Sequence, residues 1–119
     1  MPTLTIYHLK NCSTCIRIIK SLRLPSFTKF HCIKETRITE TDIDKMRELS
    51  GNYESLFSKR AIKYRTLSLK NRSLEEDEIK ELILEEYTFL KRPIFLFNDD
   101  IYIGNSNKTI ESLKQKHLF

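Results

Sequence analysis

The feature that most restricts what this chain can fold into is a pair of cysteines, Cys12-Ser13-Thr14-Cys15, placed where the residue pattern changes its period. Ahead of the pair, Thr3 to His8 (Thr-Leu-Thr-Ile-Tyr-His) alternates β-branched, aromatic and apolar residues and reads as a strand. From Cys15 onward the apolar positions Cys15, Ile18, Ile19 and Leu22 form the stripe of an amphipathic helix, which Pro25 ends. Phe27 to Ile33 then reads as a second strand. Strand, helix and strand in that order predict a βαβ unit with the second strand parallel to the first.

A cysteine at a strand-to-helix junction has its sulfur near unsatisfied N–H groups and the positive end of the helix dipole. Both favour thiolate over thiol. A second cysteine three residues on lies one turn along the same face and can attack a mixed disulfide formed on the first. The spacing therefore predicts Cys12 as nucleophile and Cys15 as resolving thiol. A structural alternative is open for Cys15, which would also suit a core, since cysteine packs as a small hydrophobe. A zinc site from Cys12, Cys15, His31 and Cys32 is a further alternative. Adjacent strand residues such as His31 and Cys32 point to opposite faces, which disfavours it, and no metal is expected. Cys32 by itself reads as core.

Three cysteines cannot all pair within one chain, and a secreted disulfide scaffold would carry more of them in even number. The opening Met1-Pro2-Thr3-Leu4 has no signal-like pattern, and no apolar run approaches membrane-spanning length, so a cytoplasmic chain without membrane attachment is expected. With 119 residues, 39% hydrophobic and 31% charged, the chain fits one domain with a true core. The net charge of +5 suits an anionic substrate, a nucleic acid or an acidic protein surface without choosing among them.

Beyond the opening unit the pattern turns helical. Thr39-Glu40-Thr41-Asp42 supplies an N-cap and early acids, Ile43, Met46 and Leu49 a buried face, and Gly51 a stop. Tyr53 to Leu67 predicts one or two short helices. Ser73-Leu74-Glu75-Glu76 reads as a capping box for a long helix running towards Tyr87. Strand signals return at Pro93 to Phe97, followed by a turn at Asn98-Asp99-Asp100 and a short antiparallel partner, Ile101 to Ile103. Ser106 or Asn107 would cap a last helix with a basic end, Lys114 to His117. The expected fold is α/β: β-α-β, helices, β-β-α around a mixed four-stranded sheet. Residues 1–34 and 92–119 would form its core and 35–91 a helical insert within a single domain of 1–119. That order is the thioredoxin topology.

A thiolate or a bound oxyanion needs compensating charge. Candidates are Arg92 ahead of the third strand, Lys59 and Arg60 in the insert, and Lys10 beside the cysteines. One cation about 4 Å from a sulfur contributes roughly 1 kcal/mol in water and about 4 near a protein surface. Lys63, Arg65, Lys70 and Arg72 read as a solvated face.

These residues resemble the arsenate reductase-like proteins, whose Spx branch consists of redox-sensing transcription regulators. Ile6-Tyr7-His8 followed by Cys12, the block Phe89-Leu90-Lys91-Arg92-Pro93-Ile94, and Ile103-Gly104 match the family's three landmarks, and the likeness spans the whole chain. The resemblance implies a cis-proline at Pro93, an active-site cation at Arg92, and a supporting role for His8 beside the nucleophile. Arg60 lies in Ser58-Lys59-Arg60, which is similar to the Spx pattern Ser-Thr-Arg. Ser58 and Gly104-Asn105-Ser106 stand where the reductase branch carries anion-binding arginines, which argues against arsenate as the substrate.

Two functions follow as expectations. One is a thiol–disulfide oxidoreductase, acting on a small oxyanion or a disulfide, with no bound cofactor and an external reductant (glutathione with glutaredoxin, or thioredoxin). The other is an Spx-like regulator whose disulfide state changes its affinity for the RNA polymerase α subunit. Direct reading of DNA is not expected, since no helix-turn-helix or basic aromatic stripe is present.

Overall fold

The computed structural model of the chain describes residues 2–117 and 119. Two compact units result, one made of 1–36 with 92–119 and the other of 37–91.

The first unit holds a four-stranded mixed sheet. Strand β1 is Leu4–His8, β2 Lys29–Cys32, β3 Ile94–Phe97 and β4 Asp100–Ile103, in the order β2-β1-β3-β4. Strand β2 runs parallel to β1, with Tyr7 opposite His31 and His8 opposite Cys32. Strand β3 runs antiparallel to β1, and β4 antiparallel to β3. This is the expected mixed α/β architecture, with β2 shorter than the Phe27–Ile33 run because Phe27 falls in the turn before it.

Alternation along β1 sends Leu4 and Ile6 to one face, where they meet Ile18 of helix α1 (Ser13–Ser21) and Leu22 just after it. Phe95 of β3 joins them with Ile110 and Leu113 of α5 (Asn107–His117). Each such fully buried side chain contributes roughly 1.5–3 kcal/mol of transfer free energy. The β3–β4 turn places Asn98 in the left-handed region, at φ 54°. There its Oδ1 accepts from the Thr3 amide (3.0 Å), and its own amide donates to the Thr3 carbonyl (3.0 Å), tying the start of the chain to the hairpin. The cap of α5 is Ser106, whose Oγ accepts from the Thr109 amide at 3.2 Å.

The second unit is helical. Helix α2 (Glu40–Ser50) starts on a complete capping box, with the Asp42 amide donating to Thr39 Oγ1 (3.1 Å) and the Thr39 amide to Asp42 Oδ2 (2.9 Å). Gly51 ends it at φ 100°, a left-handed position that a side chain would strain. A 3₁₀ turn at Glu54–Leu56 and helix α3 (Ile62–Thr66) occupy the Tyr53–Leu67 stretch.

Helix α4 (Glu76–Glu85) departs from expectation at its start. Its N-cap is Glu75, with no side-chain cap, so Ser73 closes no capping box. The Glu76 carboxylate instead accepts the amides of Tyr53 (2.7 Å) and Glu54 (3.1 Å). The helix also stops at Glu85, and Tyr87–Phe89 forms a separate 3₁₀ turn. Phe89 stacks on Phe57 with ring centroids 5.1 Å apart. Among the described residues no helix is long and apolar enough to cross a membrane.

Candidate functional site

The site is assembled by the sheet register. Strand β1 runs out towards the cysteines, and β3, antiparallel to it, pairs its first residue Ile94 with Tyr7 near the end of β1. Residues just before β3 therefore lie beside residues just after β1. That geometry brings Arg92 and Pro93 to the Cys12 loop across a long separation in sequence. The Arg92–Pro93 peptide bond is cis, as the family resemblance implies, and the Pro93 carbonyl accepts from the Gly104 amide (2.9 Å).

Cys12 is the N-cap of α1, with extended backbone (φ −96°, ψ 110°). Its amide donates to the Leu9 carbonyl (3.3 Å), and its carbonyl accepts from the Ile16 amide (3.0 Å). Its sulfur is partly exposed and faces the first turn of the helix without closing a formal capping hydrogen bond. Cys15 lies one turn on and is fully buried, at 0% exposure. Both are free thiols.

The two sulfurs are driven in opposite directions. For Cys12, burial works against ionisation. The Cys15 amide and thiol, the Arg92 guanidinium and the Thr14 amide outweigh it, so the thiol lies below its ordinary value. Burial dominates at Cys15 and, with the hydrogen bond and charge of Cys12, pushes that thiol up to about 11 against smaller opposing contributions from the Leu9 backbone and Arg92. Each thiol is among the groups that shift the other, so the ionisation of one bears on that of its neighbour. Such an arrangement can supply one thiolate and one protonated thiol at neutral pH, with a guanidinium to hold negative charge.

His8 was expected to support the nucleophile. Its ring packs edge-on against Phe30 (centroids 5.8 Å apart), and its charged neighbours are Lys10, Glu35 and His31. Burial, followed by Lys10, lowers its pKa. Lys10 is drawn away into an exposed ion pair with Glu35 (2.9 Å). Arg60 belongs to the helical unit, where it is exposed in the turn before α3, and Lys59 is exposed beside it. Cys32 is buried at the end of β2, and among the described residues no three His, Cys, Asp or Glu side chains gather as a metal site. One grouping was not anticipated: His8, Phe30 and Cys32 on one face of β1 and β2. The parallel register alone implies it, since Ile6 pairs with Phe30 and His8 with Cys32.

Comparison with known proteins agrees with this fold. The model of the ArsC family matches residues 7–113. An uncharacterised protein of Haemophilus influenzae is 27% identical over 113 residues, covering 92% of this chain and 96% of that protein. Among solved structures, an arsenate reductase from Vibrio cholerae superposes with a TM-score of 0.76 at 17% identity, covering 95% of this chain and 96% of its own. A Staphylococcus aureus protein superposes with a TM-score of 0.74 at 27% identity, covering 92% of this chain and 96% of its own.

Proposed function

This chain belongs to the ArsC family, and from that premise we propose that it is a thiol–disulfide oxidoreductase in which Cys12 attacks and Cys15 resolves. The observation that carries the reading is the placement of Cys12 at the N-cap of α1 with Cys15 one turn on and fully buried, which lowers the first thiol beside Arg92 and pushes the second up to about 11.

The Cys12 thiolate attacks one sulfur of a disulfide substrate. A Cys12–S bond forms, the substrate S–S bond breaks, and the first thiolate leaves. Arg92 and the first-turn amides stabilise negative charge at Cys12 before the attack. Once Cys12 is in the mixed disulfide its charge is gone, and with it two of the causes that hold the Cys15 proton. Cys15 then ionises more readily and attacks Cys12 Sγ, which expels the second thiol and leaves a Cys12–Cys15 disulfide. An external pair of thiols reduces that disulfide and takes its oxidising equivalents. An oxyanion that has formed a thiol adduct at Cys12 would enter the same cycle. Arg92 would then hold the anion, and Ser58 and Asn105 stand where the family's reductases carry arginines.

The test is turnover of a small disulfide coupled to glutathione, glutaredoxin or thioredoxin, run beside an arsenate arm. Expected are loss of turnover in Cys12→Ser and accumulation of a stable mixed disulfide on Cys12 in Cys15→Ser. Turnover that survives Cys12→Ser would overturn the assignment.

A further inference from the structure

A third thiol stands apart from the Cys12–Cys15 pair and has a cavity of its own. The parallel register places His8, Phe30 and Cys32 on the face of the sheet that α1 covers, and with Ile16 of that helix they line a cavity of about 780 Å3. That volume suits a small organic molecule. Neither Cys12, Cys15 nor Arg92 contributes to its wall.

Three observations give the cavity a chemical character. First, His8 is only 8% exposed, yet its Nε2 has no hydrogen-bond partner among the described residues. A buried polar atom left so is a standing cost, which a turn of the ring towards a bound molecule's hydrogen-bonding group would relieve. Second, the Cys32 sulfur sits against the turn that follows β2. Burial opposes its ionisation, but the amides of Glu35, Lys10 and Lys34 outweigh burial and bring the thiol below its ordinary value. Third, the rim is cationic and partly apolar. Lys20 and Lys29 join Lys10, whose charge is matched by Glu35, while Phe30 remains 55% exposed and Ile16 39% exposed beside the opening.

We propose that this cavity is a second reactive-thiol site, at which Cys32 exchanges with an anionic low-molecular-weight disulfide and retains half of it as a mixed disulfide. The Cys32 thiolate attacks one sulfur of the disulfide. The Cys32–S bond forms as the S–S bond breaks, the other half leaves as a thiolate, and no further oxidant or reductant is needed. Lys20 and Lys29 draw the carboxylates of the incoming molecule, Phe30 and Ile16 cover its carbon stem, and His8 Nε2 takes up a hydrogen bond from it. The site does not depend on the chemistry assigned to Cys12, and the two readings fail separately.

The experiment uses the full chain carrying Cys12→Ser and Cys15→Ser, so that Cys32 is the remaining thiol. It is exposed in parallel to oxidised glutathione (anionic), hydroxyethyl disulfide (neutral) and cystamine (cationic), and adducts are followed by intact mass and peptide mapping. Expected is one glutathione adduct at Cys32, formed at least tenfold faster than the cystamine adduct, with the preference erased by Lys20→Glu with Lys29→Glu. His8→Phe slows the glutathione reaction more than the neutral one. If the double serine variant is unfolded by circular dichroism, the same Cys32 adduct is sought by peptide mapping of the unaltered chain. The proposal is overturned if Cys32 reacts only after unfolding in urea, or if the folded protein reacts with the three disulfides at equal rates or in the reverse order.

Discussion

The Cys15 thiol, held at about 11 against an ordinary value of 9.0, makes a quantitative prediction about alkylation. Thiolate is the reacting form, and each pH unit below a pKa lowers its fraction tenfold, so at pH 7 about one Cys15 in ten thousand is ionised. Reduced protein treated with iodoacetamide at pH 7 should therefore be modified at Cys12 while Cys15 stays intact. Cys12→Ser removes the charge, and weakens the hydrogen bond, that help to hold the Cys15 proton, but it leaves the burial that is the largest cause. Cys15 in that variant should alkylate faster than in the native chain, by less than the roughly hundredfold that a full return to 9.0 would give. The assay is peptide mass spectrometry of timed alkylations from pH 6 to 10, with folding checked by circular dichroism. Equal labelling of both cysteines at pH 7 in the native chain would refute the opposed ionisation. An unchanged Cys15 rate in Cys12→Ser would refute the electrostatic contact between the sulfurs.

Three further outcomes follow from the same geometry. Arg92→Met should move the pH midpoint of Cys12 alkylation upward, with Arg92→Lys between the two, because the guanidinium is one of the groups holding the thiolate. The reduced protein should lose stability in alkaline solution through Cys15. Below about pH 9 the thiol is protonated folded and unfolded; above it the unfolded chain ionises first, so about 2–3 kcal/mol is lost by pH 11, and urea melts of Cys15→Ala should lack that component. Thr39→Ala, which removes one half of the α2 capping box, should lower stability by about 1 kcal/mol in urea denaturation and leave the Cys12 alkylation rate unchanged.

What the residue pattern made legible was whatever depends on near neighbours. The α1 stripe, the Thr39 cap, the Gly51 stop and the Pro93–Phe97 strand are local signals, and each element formed where its signal stood. The site was legible in part for the same reason: Cys12 at a helix start and Cys15 one turn on need only the helix itself. Where the reading failed, a distant partner had intervened. Ser73 and Glu76 have the spacing of a capping box, but Glu76 is engaged by the amides of Tyr53 and Glu54, which nothing near Ser73 announces. Likewise β2, lying alongside, adds Phe30 and Cys32 to the surroundings of His8, which the Tyr-His spacing up to Cys12 does not announce. The cavity at Cys32 was within reach of the pattern, since a parallel β1–β2 pair fixes which residues share a face once its register is chosen.

Strand β1 is hydrogen-bonded along both edges, by β2 on one side and β3 on the other. The segment that delivers the nucleophile is therefore clamped, and the guanidinium reaches it along one of the clamping strands. A slip of β3 by a single position would carry Arg92 about 3.3 Å along the ladder and reverse the side each β3 residue presents. The pairing of sulfur with cation is thus held by the alignment of the ladder, and a substitution that shifts β3 should part the two even where both residues are kept.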